Sequence, residues 1–263
     1  MMTAARVLLF VVLVASGVSA QSPGAIVAVG GGGTTDAILA RTLALAGGKE
    51  AVVAVLPQSS ALPTTGESSV KMWLDAGAKS ARRVDFKAPD AKAVIEAATL
   101  IWMPGGDQNR FMEAIAGTGL DDVIRERHRA GAVVGGTSAG AAVLSALMIT
   151  GKADLESLTA GSTVLGKGLG LWTGGIFDQH FLKRQRNNRL LSAVLDHPAM
   201  IGIGIDEATA AILRDGQIEV VGRSAVVVFD ARASAAQNAS GQVSAGSATV
   251  TVLREGLTLS VKR

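Results

Sequence analysis

Short apolar runs alternate with longer mixed segments between Ala25 and about Asp206. The runs are continuous rather than alternating in polarity, as in AIVAV at Ala25–Val29 and AVVAVL at Ala51–Leu56. Such runs are typical of parallel strands that are buried on both faces, and the segments between them fit helices. The pattern therefore predicts an α/β fold, a three-layer sandwich in which helices cover both faces of a mostly parallel sheet.

Gly and Pro end most of the runs and set the predicted boundaries. Strands are predicted at 25–29, 51–56, 82–86, 99–103, 132–134, 174–177 and 200–205, and helices at 34–46, 67–76, 89–98 and 120–130. Past Asp206 the period changes to two residues, and Asp215-Gly216 and Glu255-Gly256 predict antiparallel hairpins added to the sheet edge. The small and polar segment from Ala231 to Ser247 is predicted to be a loose loop.

The first twenty residues have the pattern of a secretory signal peptide. Arg6 precedes the apolar run at Val7–Val14, and Val18-Ser19-Ala20 is a small-residue cleavage site. An uncleaved membrane anchor is the alternative, but the run is shorter than the ~20 residues that a span needs. We expect cleavage after Ala20, a single domain over 21–263, and a secreted or periplasmic protein with no stable membrane association after cleavage.

The composition removes several chemistries. The chain has no Cys, which excludes disulfides, Cys–zinc sites and a thiol nucleophile. Its 25 basic and 22 acidic residues are nearly balanced, and only 3% of the residues are aromatic. We therefore expect no nucleic-acid partner, because such proteins usually concentrate basic charge on one face or stack bases on aromatic rings. No metal and no cofactor is expected either.

The most informative segment is AVVGGTSAGAAVL at Ala132–Leu144. It places the pattern G-x-S-x-G, at Gly136–Gly140, between an apolar strand and a small-residue helix. So sharp a turn leaves no room for Cβ atoms beside it, and it raises the central Ser138 above the sheet. The alternative is a Gly-rich turn in which Ser138 only caps the helix. The strand before it and the helix after it favour a nucleophile elbow. In such an elbow the Ala139 N–H faces whatever group binds at Ser138.

A nucleophilic serine needs a base, and the chain has three histidines. His128 lies in the charged helix at 120–130 and is predicted to be solvated, and His197 lies in a helix-ending turn before Pro198. His180 follows the apolar strand at 174–177, at the carboxyl edge of the sheet where ligands bind in parallel α/β folds. His180 is therefore the predicted base.

The third group should be a carboxylate that fixes the imidazole tautomer. The strand at 200–205 ends in Asp206 and Glu207, and its position alone does not separate these neighbours. Asp178 is a rival acid, although it lies two residues from His180. The chain order is then Ser, His, acid, whereas α/β-hydrolases have Ser, acid, His, so the motif does not indicate a lipase or esterase.

Together these residues resemble the cyanophycinase family, serine peptidases that share the flavodoxin-like class I glutamine-amidotransferase fold with aspartyl dipeptidases. The resemblance covers about Ala25 to Leu213. It is carried by GGDQ at Gly105–Gln108, GTSAGAA at Gly136–Ala142, GLGL at Gly168–Leu171 and DQHF at Asp178–Phe181, followed by Arg184, Arg186 and Arg189. It implies a triad of Ser138, His180 and Glu207, with an oxyanion hole formed by the N–H groups of Gly106 and Ala139.

The resemblance also implies a substrate. Members of the family hydrolyse cyanophycin, a poly-aspartate whose side-chain carboxyls carry arginine, and release β-aspartyl-arginine dipeptides. A substrate with both signs of charge needs both signs in its site. Recognition then falls to Gln108, Asp178, Arg184 and Arg189, whereas Lys183 and Arg186 are assigned to a solvated helix face. Family members often form homodimers, and the sequence does not show an interface.

One segment departs from the family pattern. The loop GGGGTT at Gly30–Thr35 lacks the acidic residues that follow the first strand in many cyanophycinases. It also lacks the spacing of a dinucleotide fingerprint and the lysine of a phosphate-binding loop. We expect it to be a tight turn that borders the cleft, where it would alter the substrate pocket without touching the triad.

Three other functions are weighed against this one. The first is a peptidase of the same family that acts on isoaspartyl or N-terminal aspartyl peptides, and the second is a non-catalytic binding protein on the same fold. The third, a glutamine amidotransferase domain, needs a Cys at the elbow, which this chain lacks.

Overall fold

The structure, a computed structural model, describes residues 22–233, 236–239, 242–245 and 247–262. The predicted signal peptide at 1–20 lies outside the described residues. Numbered along the chain, the strands are β1 (Ile26–Val29), β2 (Val52–Val55), β3 (Ser80–Arg83), β4 (Leu100–Met103), β5 (Val133–Thr137), β6 (Leu147–Ile149), β7 (Leu165–Lys167), β8 (Gly175–Gln179), β9 (Ile201–Ile205), β10 (Thr209–Arg214), β11 (Gln217–Gly222), β12 (Val226–Asp230), β13 (Ala236–Ala239), β14 (Gln242–Ala245), β15 (Thr249–Leu253) and β16 (Thr258–Ser260). The α-helices are α1 (Asp36–Leu45), α2 (Thr65–Asp75), α3 (Ala91–Ala97), α4 (Gln108–Ile115), α5 (Leu120–Arg129), α6 (Ala139–Ala142) and α7 (Asn187–Asp196), and a short 3-10 helix spans Gly48–Glu50.

The central sheet has eight strands in the order β16-β11-β10-β1-β5-β4-β2-β3. Its strands β1, β5, β4, β2 and β3 run parallel, as the continuous apolar runs predict. Successive residues of β1 enter two different cores: Val27 and Val29 pack with α1 and α2, whereas Ile26 and Ala28 pack with α3, α4 and α5. The predicted three-layer α/β sandwich is confirmed, since a strand with both faces buried must be covered on both sides.

A second sheet, of four strands in the order β15-β12-β9-β8, lies beside the first. The strands predicted at 174–177 and 200–205 belong here, as the parallel pair β8 and β9. Phe177 and Ile203 join the same core as α3 to α5, and α7 covers the opposite face through Leu190 and Val194. The parallel strands are thus divided between two sheets. An alternation of strands and helices in the sequence fits one sheet or two equally well, so it could not predict this division.

The two predicted hairpins have different outcomes. Asp215 and Gly216 do form the turn between β10 and β11, with φ of 51° and 73° as a type I′ turn requires, and β10 pairs antiparallel with β1. The hairpin predicted at Glu255-Gly256 is wrong: β15 pairs with β12 in the small sheet, whereas β16 pairs with β11 in the large one. Glu255 and Gly256 therefore lie in a connection between the two sheets, because β15 and β16 pair with strands of different sheets.

Two further segments differ from their prediction. The segment 231–247 contains the antiparallel pair β13 and β14 instead of a loose loop, since a ladder needs only backbone donors and acceptors and the segment has no Pro. Helix α4 was not predicted, although Asp107 begins it by accepting hydrogen bonds from the N–H groups of Asn109 and Arg110.

None of the helices in the described ranges is long and apolar enough to cross a membrane.

His128 is buried, not solvated as predicted from its charged helix. Its Nε2 lies 2.8 Å from the carbonyl oxygen of Gly24, and the Gly24 N–H donates to the His128 carbonyl at 2.8 Å. Burial lowers the pKa of His128, despite the hydrogen bond to Gly24. The residue therefore fastens the chain that leads into β1 to the end of α5, which is a structural role.

Candidate active site

Ser138 stands at a sharp turn between β5 and α6, with φ of 53° and ψ of −115°. The glycines around it are needed because backbone meets backbone there. A Cβ on Gly140 would lie 1.9 Å from the Met103 carbonyl oxygen, and one on Gly136 would lie 2.5 Å from the carbonyl carbon of Gly140. Positive φ in a serine is uncommon and strained, and such residues cluster at functional sites. The turn has the geometry of a nucleophile elbow.

His180 lies at the end of β8, and its Nε2 is 2.9 Å from Ser138 Oγ. The residue is 9% exposed and also has a positive φ of 49°. Ser138 comes from the large sheet and His180 from the small one, so the contact between them spans the junction of the two sheets. The structure therefore brings together the two residues that the sequence placed at separate strand ends.

Glu207 completes this chain of hydrogen bonds, with its Oε1 2.7 Å from His180 Nδ1. A carboxylate only accepts, so Nδ1 carries the proton and Nε2 is left to accept from the Ser138 hydroxyl. Asp206 points elsewhere, because its carboxylate accepts from the N–H of Lys183 at 3.0 Å and from the hydroxyl of Ser224 at 2.7 Å. Of the two neighbouring acids, Glu207 is the one that meets the imidazole.

The electrostatic surroundings keep His180 neutral near neutral pH. Burial is the largest effect and lowers the pKa of His180, the hydrogen bond that His180 donates to Glu207 opposes it, and the charge of Arg184 lowers it further. A neutral imidazole can take a proton from Ser138, whereas a protonated one cannot.

We expect Ser138 to react with a fluorophosphonate at a rate that rises with pH along one acidic limb and then levels off. The midpoint should lie below 6.5, the ordinary pKa of histidine, because a lowered pKa extends the neutral form to lower pH. Second-order labelling rates across the acidic and neutral range give the midpoint, with circular dichroism to verify that the protein stays folded. A midpoint above 6.5 would contradict the assignment of His180 as a buried base.

The loop Gly105-Gly106 lies beside the elbow. A Cβ on Gly105 would lie 3.4 Å from Ser138 Cβ, an ordinary van der Waals distance, so the loop lies close to the serine. The buried Ser59 holds the loop in place: its hydroxyl donates to the carbonyl of Pro104 at 2.7 Å, and its own carbonyl accepts the Asp107 N–H at 2.8 Å. Both predicted oxyanion donors, Gly106 and Ala139, thus belong to backbone that flanks the serine.

Ala139 is the first residue of α6, so its N–H has no acceptor within that helix. Gly106 has a φ of 148° and faces the carbonyl of Ser59, only 2.1 Å from where a Cβ would lie. A side chain at Gly106 would therefore displace the loop from Ser59.

Of the four residues predicted to contact the substrate, three are buried and one is exposed. Asp178 has no exposed surface, and the nearly buried Arg189 binds its two oxygens through Nε, at 2.7 Å, and Nη2. Gln108 is buried too, and its Nε2 donates to the Ile149 carbonyl at 2.9 Å. Arg184 is exposed and forms no ion pair with any residue in the described ranges. Asp178 and Arg189 therefore bind each other in an ion pair. Of the four predicted substrate contacts, Arg184 is the one whose charged group is exposed to solvent.

Arg186 is not the solvated residue that the sequence predicted. Its side chain is 12% exposed, it donates to the Gln179 carbonyl at 2.6 Å, and it lies 3.5 Å from Asp178. Burial, with the charge of Arg189 next, lowers the pKa of Arg186 to about 10, so it stays charged at neutral pH. Sequence reasoning also passed over Gln179, which is buried and whose Oε1 accepts no hydrogen bond from the described residues. Its position directly before His180 was the available signal.

The model of peptidase family S51 matches residues 26–221. A cyanophycinase from Geminocystis herdmanii is 40% identical over 210 residues, which is 76% of this chain and 77% of that protein. A cyanophycinase from a Nostoc species is 36% identical over 194 residues, 70% of this chain and 65% of that protein, just under two thirds of its length.

Two solved structures have a similar fold. A peptidase from an acI-B1 actinobacterium superimposes with a TM-score of 0.65 at 22% identity, over 92% of this chain and 98% of that one. A putative peptidase E protein from Listeria monocytogenes superimposes with a TM-score of 0.56 at 16% identity, over 77% of this chain and all of that one. At these identities the likeness concerns the fold.

Proposed function

Since this chain belongs to peptidase family S51, and so is a peptidase hydrolase, we propose that it hydrolyses cyanophycin to β-aspartyl-arginine dipeptides as a serine peptidase. The observation that carries the proposal is the chain of hydrogen bonds from Ser138 through His180 to Glu207. It is the arrangement that activates a serine hydroxyl for attack on an amide. The two cyanophycinase relatives support the choice of substrate.

In the proposed mechanism, His180 Nε2 removes the hydroxyl proton of Ser138 while Oγ attacks the amide carbonyl of the substrate. The tetrahedral intermediate collapses to an acyl-enzyme as His180 gives its proton to the leaving amine. A water molecule, deprotonated by the same nitrogen, then releases the acid and regenerates Ser138. Glu207 keeps Nδ1 protonated throughout, and its charge stabilises the imidazolium that forms transiently.

The developing oxyanion needs donors that are already in place. The N–H groups of Gly106 and Ala139 would supply them, one from the loop held by Ser59 and one from the start of α6. Because both are backbone groups in packed segments, they need no reorganisation when the charge forms.

Arg184 is the proposed direct contact to the substrate. Its guanidinium is exposed, unpaired among the described residues and near enough to His180 to affect its pKa. Planar guanidinium groups bind carboxylates through two parallel hydrogen bonds, which suits the free carboxylates of a chain of aspartyl-arginine units. Arg186 lies beside the buried pair of Asp178 and Arg189, and the charge of Arg184 lowers the pKa of Arg186.

The deciding experiment compares substrates with the purified full chain. Cyanophycin, β-aspartyl-arginine, isoaspartyl dipeptides and N-terminal aspartyl peptides are assayed in parallel for released amine, and the cyanophycin products are identified by mass spectrometry. Release of β-aspartyl-arginine from cyanophycin alone is the expected result. Turnover of the isoaspartyl or aspartyl peptides instead would assign the chain to a different substrate within the family. No turnover of any substrate, with an unlabelled Ser138 after fluorophosphonate treatment, would indicate a binding protein.

We also propose that the mature protein is secreted or periplasmic. The support is the pattern of the first twenty residues, with an apolar run and a small-residue site ending at Ala20. Expression of the full chain in a bacterial host should give a secreted or periplasmic product whose first residue is Gln21. Cytoplasmic protein that retains Met1, or product held in the membrane fraction, would contradict this.

A further inference from the structure

The turn that follows β1 contacts every part of the proposed triad through its backbone. Three consecutive carbonyl groups of this turn each accept one hydrogen bond, from the elbow, from the end of β8 and from the residue after the acid. These bonds are Ser138 N–H to Val29 O at 2.9 Å, His180 N–H to Gly30 O at 2.7 Å and Ala208 N–H to Gly31 O at 2.7 Å. One short stretch of chain therefore sets the spacing between the three segments.

The same turn also contacts the two acid–base side chains. A Cβ built on Gly31 would lie 2.2 Å from Cε1 and 2.6 Å from Nε2 of His180, so the backbone of Gly31 lies directly against the imidazole. A Cβ built on Gly32 would lie 2.5 Å from the Cβ and 2.9 Å from the Oε2 of Glu207. The two glycines are thus in van der Waals contact with the base and with the acid.

These contacts matter because the triad is divided between two sheets. Ser138 follows β5 of the large sheet, whereas His180 and Glu207 follow β8 and β9 of the small sheet. The turn itself continues β1, which lies next to β5 in the large sheet. The turn, which is continuous with the large sheet, therefore binds the ends of two strands of the small sheet through His180 and Ala208.

We propose that the turn Val29–Gly32 sets the position of base and acid relative to the nucleophile, with Gly31 and Gly32 as positioning residues. The inference rests on the proposed function of the triad. A methyl group at Gly31 would displace the imidazole from Ser138, and one at Gly32 would displace the carboxylate from the imidazole. Misplacing a reacting group by about 1 Å can cost about 100-fold in rate, so small displacements have a measurable effect. This assigns to the glycine run a role in catalysis beyond that of a tight turn bordering the cleft.

Gly33 provides a matched control within the same turn. Gly31 and Gly33 have φ of 96° and 103°, so alanine strains the backbone at both positions. A Cβ on Gly33 would meet no atom within 4 Å, whereas one on Gly31 would meet the imidazole. The comparison of Gly31→Ala with Gly33→Ala therefore separates the cost of the strained backbone from the displacement of His180.

We expect Gly31→Ala to lower kcat on cyanophycin about 100-fold with little change in KM, because substrate binding does not involve the imidazole position. Gly33→Ala should lose a similar amount of thermal stability and keep kcat near that of the unmodified chain. A folded Gly31→Ala variant with the kcat of Gly33→Ala would overturn the proposal. If Gly31→Ala does not fold, Gly32→Ala is judged by the same criterion, because its methyl group would meet the Cβ and the Oε2 of Glu207.

Two readouts do not depend on the substrate. The rate of fluorophosphonate labelling at Ser138 should fall in Gly31→Ala and not in Gly33→Ala. The proton on His180 Nδ1 should give a low-field NMR resonance, since it is held by a carboxylate at 2.7 Å, and Gly32→Ala should shift or abolish it. If the unmodified chain does not hydrolyse cyanophycin, the proposed function fails, while these two measurements still test the turn. An unchanged labelling rate in Gly31→Ala, together with an unchanged resonance in Gly32→Ala, would overturn the proposal.

Discussion

Ser138→Ala is expected to lower kcat on cyanophycin by about four to six orders of magnitude, since removing the nucleophile of a serine peptidase has an effect of this size. The alanine removes the only atom that attacks the substrate, and it also removes the hydrogen bond to His180 Nε2. Rates are measured by released amine under single-turnover and steady-state conditions, because trace contamination becomes important at such low activity.

The fold should survive the substitution. Alanine has to adopt the same positive φ as Ser138, and the packing of the elbow depends on Gly136 and Gly140, which are unchanged. Ser68→Ala, on the exposed face of α2, is the control for loss of a serine hydroxyl elsewhere. Thermal unfolding and binding of cyanophycin should be close to those of the unmodified chain in both variants. Retention of more than about 1% of kcat in Ser138→Ala would mean that another group attacks the substrate.

Glu207→Gln is expected to lower kcat by about 10⁴-fold, the effect of replacing the carboxylate of a Ser-His-Asp triad by its amide. The amide nitrogen of glutamine can donate to Nδ1, which favours the tautomer with the proton on Nε2. His180 then cannot accept the proton of Ser138, even though its position is retained. KM should change little, because Glu207 contacts the imidazole and not the substrate in the proposed arrangement.

Asp206→Asn is the matched control for this prediction. The residue is a neighbouring acid at the same strand end, but its carboxylate binds Ser224 and the N–H of Lys183. Its pKa is lowered by those hydrogen bonds although burial opposes them, so it is ionised at neutral pH and the substitution removes a charge as Glu207→Gln does. We expect a loss of stability and only a small change in kcat. A large loss of kcat in Asp206→Asn, with an active Glu207→Gln, would reverse the assignment of the acid.

The elbow could be predicted from sequence because its requirements are local. Close packing around Gly136 and Gly140 and a strand followed directly by a helix are consequences of consecutive residues. The position of His180 followed from a topological rule, that the carboxyl ends of parallel strands form the binding edge. His180 does follow a parallel strand and meets Ser138, although β8 lies in a separate sheet.

The choice between Asp206 and Glu207 could not be made from the local pattern. It depends on Lys183 and on Ser224, each of which lies some distance along the chain from the two acids and binds Asp206. The resemblance to a family supplied Glu207 where the residues alone left both neighbours open. The hydrogen bond that His180 Nδ1 donates to Glu207 gives a physical reason for that choice.

Buried charges were predicted least well. His128 and Arg186 lie in segments rich in charged residues, which is typical of exposed surface, yet both are packed into the structure. Asp178 and Arg189 are eleven residues apart, and both are buried in a bidentate ion pair. Burial of such groups depends on which elements pack over them, and a hydrophobicity pattern cannot represent that.

The sequence by itself determined the layered α/β fold, the elbow at Ser138 and the candidacy of His180, because strand patterning, glycine packing and strand ends are properties of short segments. Only the tertiary structure decided that Ser138 follows a strand of one sheet while His180 and Glu207 follow strands of another, and that the carbonyls of Val29, Gly30 and Gly31 accept hydrogen bonds from these three segments. The physical reason is that each of those hydrogen bonds joins segments more than a hundred residues apart, so their alignment is fixed by packing between elements and not by the pattern within any one of them.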